Sequence, residues 1–199
     1  MQQYVAFVAG LPCGRDSVGM DTLRNLFARL GFLNVETFLT NGNVIFHTAP
    51  VGLIGPLEAQ ISRFLTKSLE ADDIHVFIRT PEELVSILGS VPFPADEVDR
   101  DGNHLFVVFL GEEPDEHVKK QLNIRRNDVD ELRLSGKEIY WLRRPSSEQV
   151  PPPSLSEILD APATVRSLHT ISRLVAKCTP QELRKNPAAD VSQSARSHQ

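Results

Sequence analysis

The chain has 199 residues, 41% hydrophobic and 24% charged, a composition that can bury a core and that excludes global disorder. Its formal net charge of -5 and pI near 5.7 provide no overall positive field for a polyanion, which argues against nucleic acid as a partner. Two cysteines, Cys13 and Cys178, make no disulfide framework; with no charged leader and no apolar run near the roughly 20 residues of a membrane span, a cytoplasmic protein is expected.

Tyr4 to Ala9 is an unbroken apolar run of strand length closed by Gly10, and a loop with Pro12 and Gly14 follows. Leu23, Leu26, Phe27 and Leu30 recur at helical spacing, and Gly31 stands where a helix C-terminus favours glycine. Val35 to Leu39 and Val44 to Thr48 flank Thr40-Asn41-Gly42-Asn43, which predicts an antiparallel hairpin. Leu57, Ile61, Phe64, Leu65 and Leu69 mark a second helix, and Ile74 to Ile78 a fourth strand.

Thr80-Pro81-Glu82-Glu83 has capping-box spacing with proline at the first helical position, so a short linking helix to about Leu88 is expected. Beyond the proline-rich, acidic stretch from Val91 to Gly102, the pattern begins again. Leu105 to Leu110 reads as a strand and Glu116 to Leu122 as a weak helix. Leu132 to Leu134 and Ile139 to Leu142 form a hairpin around Ser135-Gly136-Lys137. Ser154 to Glu157 again has capping-box spacing, and Val165, Leu168, Ile171 and Val175 predict a final amphipathic helix. From Pro187 to Gln199 apolar periodicity is lost, which predicts a mobile tail.

The fold expected is α+β, with two tandem ferredoxin-like β-α-β-β-α units packed together: 1–80 as the first unit, 81–103 as linking helix and loop, 104–178 as the second unit, and 179–199 as the tail. Both alternate sets of the first strand (Tyr4, Ala6, Val8 and Val5, Phe7, Ala9) are apolar, as are both sets of Leu105 to Leu110. Each of these strands should therefore be covered on both faces, by the other unit, the linking helix or another subunit.

Tyr4-Val5-Ala6-Phe7, Gly10, Met20, Leu23-Arg24, Leu30-Gly31-Phe32, Asn34-Val35, Thr37 and Gly42-Asn43-Val44-Ile45-Phe46 follow an order and spacing that resemble the bacterial DUF1697 family. Thr164-Val165-Arg166 with Thr170 and Leu174 resembles that family's closing motif. The resemblance implies a tandem ferredoxin-like fold and no known activity. The chain departs from the family at Ala9-Gly10-Leu11-Pro12, where an Arg-Gly-Ile-Asn type loop is usual. It departs again at Asn41-Gly42-Asn43, where Ser-Gly-Asn is usual, and at Ser167-Leu168-His169, where Asn-Trp-Asn is usual.

No metal-ligand spacing occurs among the six histidines and two cysteines, no cofactor fingerprint occurs, and the nucleophile-elbow, Walker and kinase motifs are absent. No catalytic residue is therefore assigned and no cofactor is expected. Gly10, Gly14 and Arg15 form a strand-to-helix loop whose amides could hold an anion, with Arg166, His169 and Thr170 from the final helix and Asn41 and Asn43 from the hairpin as further ligand-binding candidates. Cys13 reads as an ordinary loop cysteine. The first reading is a non-catalytic module for a small anion or a protein partner. The alternatives are an enzyme assembled from Arg166, His169 and a carboxylate of the other half, and an RNA-binding or oligomeric protein; the third strand lacks the basic-aromatic pattern that stacks bases.

Overall fold

Gln2–Ala9 forms β1, and its two apolar faces decide the architecture. Met20–Arg29 forms α1, Leu33–Phe38 β2, Asn43–Thr48 β3, Ile54–Leu69 α2 and His75–Arg79 β4. These strands make one antiparallel sheet in the order β2-β3-β1-β4. The computed structural model describes residues 1–12, 14, 17–124 and 127–178, so Cys13, Arg15 and the expected tail at 179–199 lie outside the described residues.

Pro81–Gly89 forms α3, which starts on the expected capping box: the Glu83 amide donates to Thr80 Oγ1 at 3.2 Å and the Thr80 amide to Glu83 Oε2 at 2.7 Å. A short helical turn, α4 (Ala95–Val98), lies within the proline-rich, acidic stretch. His104–Leu110 is β5, Glu116–Ile124 α5, Asp130–Ser135 β6, Glu138–Arg143 β7, Leu155–Ile158 α6, Ala163–Ser167 β8 and Leu168–Cys178 α7. The second sheet is also antiparallel, in the order β6-β7-β5-β8, the same as the first. The chain is thus α+β, and among the described residues no helix is long and apolar enough to cross a membrane.

One expectation is corrected by β8. Val165 and Arg166 were assigned to the start of the final helix, but Phe109 pairs with Thr164 and Val107 with Arg166, so the segment is a strand. The Val165 to Leu168 interval fits helical spacing by coincidence. Adjacent β-branched Thr164 and Val165 suit a strand, and the open edge of β5 supplies ladder hydrogen bonds that a helix at this place would leave unmade. The helix begins only at Leu168, after Ser167, whose Oγ accepts from the Thr170 amide at 3.2 Å.

The doubly apolar strands are covered on both faces. Tyr4, Ala6 and Val8 pack under α1 and α2 with Phe27, Phe46 and Ile61. Val108 and Leu110 pack under α5 and α6 with Leu122, Trp141 and Ile158. Between the sheets, Val5 and Phe7 meet Val107 and Phe109 in a third apolar layer, where the rings of Phe7 and Phe109 stack at 4.2 Å. Full burial of each such side chain contributes on the order of 1.5–3 kcal/mol, which neither sheet could gain alone.

Two helices, packed against each other, close this middle layer and reach both sheets. After β4, α3 crosses to the second sheet, where Tyr140 Oη donates to the Ile87 carbonyl at 2.8 Å and Leu84 joins the shared core. After β8, α7 crosses to the first sheet: Lys177 Nζ meets Glu36 Oε2 at 2.6 Å and the Arg173 guanidinium lies 5.3 Å from the Phe38 ring. Each helix therefore packs on its own sheet and on the other helix and also touches the sheet to which it does not belong.

Candidate functional site

The hairpin and final-segment candidates meet at the sheet junction. Arg166, 7% exposed, reaches from β8 into the first sheet. Its Nε donates to Asn43 Oδ1 at 2.6 Å, Nη1 to Thr164 Oγ1 and the Val165 carbonyl at 2.8 Å each, and Nη2 to the Asn41 carbonyl at 2.7 Å and the Val8 carbonyl at 3.3 Å. A guanidinium has five N–H donors, so all five end on acceptors of this chain. The cation also lies 5.5 Å from the Phe7 ring. Among the described residues no carboxylate pairs with it, and burial pulls its pKa down to about 10, which leaves it charged at neutral pH.

Arg79 makes the reciprocal reach. Arg79 stands opposite Val5 on β1 and Arg166 opposite Val107 on β5, so they hold matching positions in the two sheets. Arg79 Nη2 donates to the Leu110 carbonyl at 2.9 Å, Nη1 to the Ile78 carbonyl at 2.8 Å, and the guanidinium lies 5.4 Å from the Phe109 ring. Its Nε donates to Glu138 Oε1 at 2.7 Å, where Arg166 meets Asn43. Glu138 and Asn43 also match, since each faces its phenylalanine, Phe109 or Phe7, across the ladder. The two arginines are thus exchanged between the sheets, one to a carboxylate and one to an amide.

The other candidates separate. Gly10 (φ 75°) carries no Cβ because one would fall 2.1 Å from the Asp73 carbonyl oxygen, at the entry to β4. Gly42 (φ 69°) is closed in by Leu11 and the Val8 carbonyl, with the Val8 amide donating to the Gly42 carbonyl at 2.8 Å. Both glycines are explained by packing. Gly14 has open space around it, Asn41 and His169 are exposed, and Thr170 is buried with its Oγ1 3.0 Å from Ser167 Oγ. Arg15 lies outside the described residues.

A groove of about 1010 Å³ opens along the outer edge of β4 and was not found from sequence. Behind it lie the buried Val76, Phe77, Leu110, Val118 and Leu159, and its accessible apolar surface comes from Ala59, Ala161 and Pro162. Carboxylates enter from four segments: Glu58 from α2, Asp72 and Asp73 ahead of β4, Glu112, Glu113 and Asp115 after β5, and Asp160 after α6. Only Arg63 and Lys67 oppose them among the lining lysines and arginines. The doublets Asp72-Asp73 and Glu112-Glu113 beside strand ends are the sequence signal for it, legible only once the two strand ends are known to be neighbours.

One wall of the groove has an unusual chemistry. Alternate amides of the outer edge of β4 and its entry donate to a stripe of α2 side chains spaced by four: Ile78 to Glu58 Oε1 at 2.6 Å, Val76 to Ser62 Oγ at 3.0 Å and Ile74 to Thr66 Oγ1 at 3.3 Å. The stripe occupies the donors that a further strand would need. Burial raises the Glu58 pKa, while the Ile78 amide and the Arg79 charge partly oppose that shift. His75 Nε2 lies 2.7 Å from Asp73 Oδ1 but is not aligned for a hydrogen bond. Among the described residues no three His, Cys, Asp or Glu side chains converge to hold a metal ion.

A comparison with curated proteins finds no match. A solved structure, the conserved bacterial protein SP0830 from Streptococcus pneumoniae, is similar in fold, with a TM-score of 0.63 at 19% identity over 89% of this chain and 98% of that one. The model of the family described as "Protein of unknown function (DUF1697)" matches residues 1–140, the part that contains β1, the hairpin turn, Arg79 and Glu138; the chain belongs to the DUF1697 family.

Proposed function

We propose that the chain is a non-catalytic binding module whose site is the groove beside β4, and that its occupant is positively charged. The observation that carries this reading is the lining: carboxylates enter from four segments, with Asp72, Glu112 and Asp160 exposed and one arginine and one lysine beside them, while Glu113 is paired with Lys119 and Glu58 lies inward near Arg79. Such a concavity focuses a negative potential and raises the local concentration of cations. The junction around Arg166 supports an anion less well, because its five donors are engaged within the chain. The repeated strand order supports the further reading that the two halves are tandem ferredoxin-like units, with 81–103 as their link.

Ala59 lies on the exposed face of α2 within the groove, so Ala59→Trp would fill the site without entering a core. Thermal shifts against a panel of basic and acidic small molecules should show stabilisation of the natural chain by basic members, reduced in Ala59→Trp. Stabilisation by anions alone, or equal stabilisation of both proteins by every cation, would overturn the proposal.

A further inference from the structure

We infer that the groove takes a linear polyamine, a flexible chain of protonated amines separated by methylenes; this rests on the cationic-site reading above. Three properties of the groove select this class. First, its carboxylates are distributed: Asp72 lies at one strand end, Glu112 at the end of β5 and Asp160 beyond α6, and no three acidic or imidazole groups among the described residues converge on one point. A compact divalent cation needs convergent oxygen ligands, whereas an elongated cation matches charges that are spread out. Second, exposed Ala59, Ala161 and Pro162 and half-buried Pro114 offer apolar surface on which methylene segments can lie.

Third, the β4 edge supplies acceptors more readily than donors. The amides of Ile74, Val76 and Ile78 are taken by Thr66, Ser62 and Glu58. In a strand the carbonyl of a residue turns to the same edge as its amide, so the carbonyls of Ile74 and Val76 face the side where the donors are occupied, while that of Ile78 accepts from Arg79 Nη1. A peptide added as a strand must both give and receive hydrogen bonds. Protonated amines only donate. The blocked edge therefore disfavours a peptide and suits a polyamine.

The test is isothermal titration calorimetry of spermine into the full chain at near-physiological salt. One variant carries Asp72→Asn, Glu112→Gln and Asp160→Asn; a second carries the same charge change away from the groove, at exposed Asp99→Asn, Asp101→Asn and Glu148→Gln. Saturable spermine binding is expected, weakened roughly tenfold by the groove variant and little changed by the distant one. Equal weakening in both would mean diffuse charge attraction and would overturn the inference. So would an absence of spermine binding while an acetylated peptide of alternating lysine and valine binds with the groove dependence; that result would leave the cationic groove standing. Failure of both probes, with no basic compound acting in the thermal-shift panel, would remove the two proposals together.

Discussion

Arg79 and Arg166 hold matching positions in two sheets of identical strand order, and each reaches into the opposite sheet to a backbone carbonyl and over a phenylalanine ring. They differ in one partner. Arg79 meets Glu138, whose side chain is 14% exposed, and Arg166 meets the fully buried Asn43. The first clasp balances charge with charge; the second balances a buried cation with neutral acceptors and a ring face. The geometry is the same in both clasps while the electrostatics differs. What joins the sheets is therefore the crossing itself, carried by directional hydrogen bonds to the other sheet, more than an ion pair common to both.

Removing each arginine should separate these contributions. Arg79→Met leaves Glu138 with its charge and without its closest cation, and a loss of about 3–5 kcal/mol is expected in urea denaturation. Arg166→Met strands only neutral acceptors, so a smaller loss, about 1–3 kcal/mol, is expected in the same measurement. Equal losses would mean that the glutamate adds nothing to the first clasp. Gly42→Ala tests the platform beneath the second: a Cβ would lie 2.9 Å from Leu11 Cδ1 and 3.0 Å from the Val8 carbonyl oxygen, in a left-handed conformation. A loss of about 1–2 kcal/mol is expected, together with displacement of the Asn41 and Asn43 resonances in amide NMR spectra.

The smallest effect should come from Glu58, whose Oε1 lies 3.9 Å from Arg79 Nη1 at the inner wall of the groove. Burial raises its pKa above the ordinary 4.5, so the folded chain holds this proton to higher pH than the unfolded chain does. Its contribution to stability therefore falls as pH rises from about 4.5 through the raised value. Glu58→Gln keeps an oxygen for the Ile78 amide and removes the titration. The stability difference between the natural chain and Glu58→Gln should shift by about 1 kcal/mol or less across that interval, with the natural chain losing ground as pH rises. A change of the opposite sign would mean that the Arg79 charge outweighs burial.

Much of the fold was legible because its signals are local. The apolar run at Tyr4, the Asn41-Gly42 turn, the Thr80 to Glu83 capping box and the spacing of Leu57, Ile61 and Leu65 all depend on residues a few positions apart. β8 escaped because Thr164 to Ser167 becomes a strand through β5, more than fifty residues earlier, while Val165 and Leu168 happen to keep helical spacing. The groove escaped for a similar reason: Asp72, Glu112 and Asp160 are unremarkable acids until the fold brings them to one edge.

The sequence by itself determined most of the order of elements, β8 and α4 excepted, and the need to cover β1 and β5 twice, since alternation and helical periodicity record which faces must leave water. Tertiary structure alone decided what supplies the cover, which arginine crosses to which sheet, and where charge collects. The reason is distance along the chain. Asn43 and Arg166 are 123 positions apart and Arg79 and Glu138 are 59 apart, and no local preference of either residue encodes the other. Those pairings exist because two sheets with the same strand order face each other through Phe7 and Phe109.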